Sequence, residues 1–153
     1  MKVTGLLTAS LVALAACQKA ETPEQAAARM EQETAAARTA IEAQNAAFAA
    51  HFSAGHADSV AAFYTEDGEI LPPNSPAASG RANIASWLAA GLAMGSYTLT
   101  LTTSTVMANA DNAFERGVYT LSFTPGPNAP KGSKAMADTG KYIAHRATEG
   151  GTG

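Results

Sequence analysis

Phe52–Leu88 reads FSAGHADSVAAFYTEDGEILPPNSPAASGRANIASWL, and its punctuation divides it into helix end, helix, turn, strand, loop and helix. Gly55 supplies a helix stop, because glycine takes the left-handed conformation after a helix without steric cost. Asp58 caps a short helix over Asp58–Tyr64. Glu66-Asp67-Gly68 is a turn that hands over to a brief strand at Glu69–Leu71. Pro72-Pro73-Asn74-Ser75-Pro76 must be loop, since proline has no N–H for a ladder. From Arg81 to Met94 the residues Ile84, Trp87, Leu88 and Leu92 recur at helical spacing, and Gly95 ends that helix.

On the N-terminal side, Thr22-Pro23-Glu24-Gln25 combines a Thr cap, a proline in the first turn and Gln at the capping-box position. A helix is expected over Glu24–Ala54, rich in Ala, Glu, Gln and Arg. Ile41, Phe48 and Phe52 lie on one stripe of it, and Asn45 shares that face. Ala26–Ala40 has only Met30 as a large apolar residue and reads as a lightly packed arm. On the C-terminal side the period changes from 3.6 to 2. Tyr97, Leu99, Leu101, Thr103, Thr105 and Met107 alternate with a hydroxyl-rich set that ends at Val106. Asn109–Asn112 is a turn, and Ala113–Thr124 is a second long strand whose apolar face, Gly117, Tyr119, Leu121 and Phe123, also carries Glu115. Pro125–Ala137 reads as loop and Thr139–Arg146 as a third strand. No apolar alternation follows it, so a further strand is not expected. Helices followed by antiparallel strands make an α+β domain, with three helices on one face of a curved sheet.

The chain has 153 residues, 46% hydrophobic and 15% charged, enough for one domain. Its formal charge is -3, the wrong sign for a phosphate backbone, so nucleic acid is not an expected partner. His51, His56 and His145 have no metal-ligand spacing, and no metal or cofactor is expected; His51 suits the end of a helix dipole. The single cysteine, Cys17, follows Met1-Lys2 and an apolar run too short to span a bilayer. Leu14-Ala15-Ala16-Cys17 resembles the bacterial lipobox. That resemblance implies a signal peptide over 1–16, lipid on Cys17 and a tether over 17–22 ahead of a domain at 23–146, with a tail at 147–153. Gln18 after the cysteine resembles an outer-membrane address, which implies a periplasm-facing, membrane-anchored protein. Two or more acyl chains make such an anchor durable.

Phe52–Leu88 resembles the SnoaL-like domains of the nuclear transport factor 2 and ketosteroid isomerase-like superfamily through Gly55, Asp58, Tyr64, Asp67, Pro72, Gly80, Arg81 and Ile84. Gly117-Val118-Tyr119 and Asp138-Thr139-Gly140-Lys141-Tyr142 are similar to later strand openings of that family, so the likeness covers Ile41–Ile143. The resemblance implies a cone-shaped α+β fold with an apolar pocket at its wide end, and relatives that continue into one more strand. In ketosteroid isomerase the pocket holds a carboxylate base, a tyrosine and a protonated acid. The corresponding slots fall at Leu71 or Pro72, at Phe48, and at or beside Ile143; none of these side chains moves a proton.

Asn45, Phe48, Tyr64, Trp87 and Tyr119 are the candidate pocket residues. Glu115 is either a pocket carboxylate with a raised pKa, suited to proton transfer, or an edge residue paired with the neighbours of Arg116 or with solvent. Arg81 either binds a ligand carboxylate or clamps the preceding loop, and Asp67 is a turn cap. Two functions follow. One is a membrane-anchored module that binds a small apolar ligand or self-associates, the unpaired edge of Thr139–Arg146 giving either a homodimer or a marginal, aggregation-prone fold. The other is an isomerase, dehydratase or cyclase with Glu115 as proton-transfer group and Arg81 or Tyr119 as its partner.

Overall fold

The computed structural model describes residues 20–147. The expected signal peptide and Cys17 lie outside the described residues, as does the expected tail over 147–153 apart from Ala147, which is still in a strand. Helix α1 spans Pro23–Ser53, α2 Ala57–Ala61 and α3 Arg81–Leu92. Strands β1 (Glu69–Ile70) and β2 (Ala78–Ser79) form a small antiparallel pair, and β3 (Gly95–Ala108), β4 (Asn112–Pro125) and β5 (Met136–Ala147) form an antiparallel sheet in that order. The sheet is not closed: among the described residues β5 pairs with β4 alone.

The start of α1 follows from Thr22, whose hydroxyl accepts from the Gln25 amide while the Gln25 side chain accepts from the Thr22 amide. Its end follows from Gly55, at φ 76°, where the Gly55 and His56 amides turn back onto Phe52 and His51 carbonyls. Two expectations about the middle of the chain are corrected. The second helix stops at Ala61, because Phe63 and Tyr64 donate to carbonyls only three residues back, a tighter turn than the helix. Ala78-Ser79, given no element from sequence, is strand β2, since Ser79 sits opposite Glu69 and its hydroxyl donates to that carboxylate at 2.6 Å. Such a two-residue strand carries no periodicity of its own.

The sheet strands are longer than expected, and β5 begins at Met136, opposite Phe123. A larger correction concerns β3. Its register slips between Thr103 and Thr105, so Ser104 is an extra residue and the alternation changes phase there. Tyr97, Leu99, Leu101 and Thr103 face the helices as expected. Past the bulge Val106 is buried and Met107 is 65% exposed, the reverse of an uninterrupted alternation. The bulge leaves Thr103 opposite Gly117 and brings Val106 opposite Glu115 on the same inner face.

Two apolar clusters hold the layers together. Val60, Ala61, Ala78, Ile84, Leu88 and Leu92 join α2, α3 and β2, with Phe48, Phe52 and Tyr64 packed against them. Ile41, Val106 and Ala113 form a smaller cluster between α1 and the bulged end of the sheet. Asn45, one turn from Ile41 on α1 and one turn before Phe48, lies between them. The β3 edge is shielded by α1, because Ser53 Oγ accepts from the Leu99 amide and Arg38 donates to the Ser104 carbonyl, each at 3.1 Å.

Candidate functional site

Between the two clusters α1, β3 and β5 bring four polar side chains onto one carboxylate of β4. Glu115 is buried on the inner face of β4. Its Oε1 accepts from Asn45 Nδ2 at 2.6 Å, Thr103 Oγ1 at 2.8 Å and the Tyr142 hydroxyl at 2.6 Å. Its Oε2 accepts from Arg146 Nη2 at 2.7 Å and Nε at 3.2 Å. Arg146 Nη2 also donates to Asn45 Oδ1 at 2.7 Å, and Nη1 to Gln44 Oε1 at 3.2 Å. A carboxylate removed from water is tolerated only when its lone pairs are met in this way, and this one accepts five hydrogen bonds, two of them from a guanidinium.

The electrostatics follow. Burial pushes the Glu115 carboxyl up, but the donors Tyr142, Arg146, Thr103 and Asn45 together outweigh it and hold the group below the usual carboxylate range. Of the two readings of Glu115, the carboxylate with a raised pKa is the one these donors oppose; the other, an edge residue open to solvent, does not hold either, because the side chain is buried on the inner face. Tyr142 moves the other way: burial, and then its bond to the Glu115 carboxylate, push its phenol up to about 12. Tyr142 crosses the sheet over Gly117, the residue directly opposite it, where a Cβ would collide with the ring. Tyr119 and Gly140 repeat the arrangement one step along.

Of the residues singled out from sequence, Asn45 and Glu115 meet here. Phe48 is the hub of an aromatic group, with Phe52, Phe63 and Tyr64 ring centroids at 6.3, 5.7 and 6.4 Å. Tyr64 joins it there. Its hydroxyl makes no hydrogen bond among the described residues; burial raises its pKa, and the Arg146 charge acts against that rise. Tyr119 is half-buried on the inner face and its hydroxyl donates to Asp138 at 3.2 Å. Trp87 does not line the site: it is 40% exposed, because Ile84 and Leu88 take the core-facing positions of α3. Arg81 is not Glu115's partner. It clamps the loop, with Nε on the Tyr64 carbonyl at 2.7 Å and Nη1 on Glu66 at 2.5 Å.

Tyr142, Arg146, Thr103 and Gln44 were not singled out. Alternation along β5 carried part of the signal, since Tyr142 and Arg146 share a face with Gly140. Of the isomerase slots, Leu71 is exposed and Ile143 is turned outward at 77% exposure; the inward residue beside it is Tyr142. No group of three or more His, Cys, Asp or Glu able to hold a metal ion occurs among the described residues.

An α+β fold with helices packed on an open antiparallel sheet and a polar cluster on its inner face is an architecture that serves both binding proteins and enzymes. The sequence pattern of the SnoaL-like domain matches residues 45–148, and the chain belongs to that family. Solved structures with the same fold include a putative scytalone dehydratase from Novosphingobium aromaticivorans (TM-score 0.64, 19% identity, 80% of each chain covered). A ketosteroid isomerase-like protein from Erwinia carotovora atroseptica has a TM-score of 0.53 and 21% identity, over 78% of this chain and 83% of that one. An NTF2-like protein with a cystatin-like fold, also from N. aromaticivorans, has a TM-score of 0.56 and 21% identity, over 83% and 86%. A comparison with curated protein sequences finds no match.

Proposed function

We propose that this protein is a membrane-anchored SnoaL-like module that binds a small, largely apolar molecule, and that Glu115 is a fixed support of the binding surface rather than a proton-transfer group. The observation that carries this reading is the set of five hydrogen bonds on Glu115. A general base needs a lone pair aimed at the substrate's proton, and a general acid needs a proton to give near neutral pH. Glu115 has its oxygens engaged by protein donors and a depressed pKa. What remains for a ligand is the Phe48 and Tyr64 wall and the unpartnered Tyr64 hydroxyl, an apolar surface with one donor.

The experiment is a thermal-shift and product-analysis screen of the full chain against small phenols and ketones. A ligand-induced rise in Tm that Tyr64→Phe abolishes, without turnover, is the expected result. Turnover that disappears in a folded Glu115→Gln variant would establish the enzyme reading instead. Support for anchoring comes from the lipobox alone. Cys17→Ser is expected to leave the chain without lipid, because a hydroxyl cannot form the thioether, and equal membrane retention and equal mature mass in mutant and wild type would refute it.

A further inference from the structure

His51 and His56 are five residues apart, which in a continuous helix would put them on faces about 140° apart. The end of α1 changes that. Gly55, at φ 76°, reverses the chain, and the His56 amide donates to the His51 carbonyl at 3.0 Å. The two imidazoles are thereby brought together, with ring centres 5.8 Å apart and an interplanar angle of 46°. His51 is half-buried in the last turn of α1 and also packs on the Phe63 ring at 6.3 Å, while His56 is exposed. Neither imidazole makes a hydrogen bond among the described residues, unlike His145, whose Nε2 lies 3.0 Å from Asn112 Oδ1. Beside them is an open depression of about 550 Å3, whose lining includes Gly55, His56, Asp58 and Ser59 with Ala89 of α3.

We infer that His51 and His56 together bind a divalent transition-metal ion, copper(II) most tightly, with waters in the remaining positions of its coordination shell. With metal–nitrogen bonds of about 2.0–2.1 Å, two imidazoles on one ion have ring centres about 5–6.5 Å apart. The observed separation falls in that span. Neutral imidazole suits copper, nickel and zinc, and copper(II) leads that series in affinity. Two features of the surroundings favour a cation. The C-terminal end of α1 carries the negative pole of a 31-residue helix, which α2, at five residues, opposes only weakly. Asp58 adds a carboxylate at the depression, able to accept from the ion's waters. An ion held here ties the end of α1 to the start of α2, next to Phe63, whose ring centre is 5.7 Å from that of Phe48. The pair involves neither Glu115 nor Cys17, so it stands or fails independently of the ligand-binding and anchoring readings.

The test uses the full chain with Cys17→Ser, which removes a competing thiol, titrated with copper(II), zinc(II) or magnesium salts. One copper(II) ion per chain is expected, with splitting from two nitrogens in its electron paramagnetic resonance spectrum, weaker binding of zinc and none of magnesium. Zinc should also raise the melting temperature of the parent chain. His51→Ala and His56→Ala should each weaken copper binding about tenfold or more, a loss that even an outer-shell partner of a metal ligand carries. His145→Ala should leave it unchanged. Metal-free melts that match the parent's show that the variants are folded, and His51→Gln and His56→Gln repeat the test with side chains nearer in size. Equal copper affinity in the parent and in the chain with both histidines replaced would overturn the inference. So would a parent that binds no copper, or one whose spectrum shows a single nitrogen.

Discussion

Asn45 on α1 and Glu115 on β4, seventy residues apart in sequence, meet at 2.6 Å, and Arg146 closes the triangle by donating to both side chains. This triangle joins the helical layer to the sheet at the place where the two apolar clusters leave a gap, and α1 meets β5 through it. Its members depend on one another: removing any one leaves a buried polar group without its partner.

Glu115→Ala is therefore expected to cost about 3–5 kcal/mol, the range for breaking one side of a buried ion pair, and Glu115→Gln less, because it keeps an acceptor. Urea denaturation checks both. The folded pKa of Glu115 lies below its unfolded value. Its stabilisation is thus complete above the ordinary glutamate pKa of about 4.3 and fades as pH falls through the folded value. Wild type should lose stability over that acid range more steeply than Glu115→Gln.

Tyr142 should be the last of the four tyrosines to ionise. Its phenol, raised to about 12, favours the folded state below about pH 10, and that contribution is lost between there and pH 12. Ultraviolet titration of the folded protein should show one late tyrosine, absent in Tyr142→Phe. That variant should also lose about 0.5–1.5 kcal/mol, the usual net value of one hydrogen bond.

Gly117→Ala tests the placement of the Tyr142 ring. The added methyl would occupy the ring's position, so the tyrosine must leave Glu115 or the strands must separate. A loss of about 1–3 kcal/mol is expected, the usual range for overpacking, together with a fall in the late phenol pKa. A normal melting temperature and titration would show that the ring can move aside without cost.

The unpaired side of β5 predicts self-association. Arg38 and Ser53 engage the β3 edge, but among the described residues no strand or side chain is placed against the free edge of β5, and exposed edges pair. Sedimentation velocity of the full chain should show a dimer that Ile143→Lys weakens, since lysine on an edge disfavours strand addition. A monomer with strongly protected β5 amides in hydrogen exchange would mean that the chain covers this edge itself.

Local chemistry made much of the fold legible. The Thr22–Gln25 capping box, the stop at Gly55, the Ile84–Leu88–Leu92 period and the long alternations around the Asn109–Asn112 turn each act within a few residues, and the family resemblance agreed with them. The strand β2 was illegible because two residues have no period. The phase change of β3 was illegible because a bulge at Ser104 is decided by its pairing with β4 and not by the serine.

The candidate site divides in the same way. By itself the sequence determined that Asn45 and Glu115 are polar residues on otherwise apolar faces, because periodicity fixes which way a side chain leaves its own element. Only the tertiary structure decided that they face each other, that Thr103, Tyr142 and Arg146 complete the set, and that Arg81 and Trp87 lie elsewhere. The physical reason is that register, bulge position and helix placement are set by contacts between elements. The ionisation of Glu115 depends on the same contacts: burial alone would have raised its pKa, and donors from three other elements lower it.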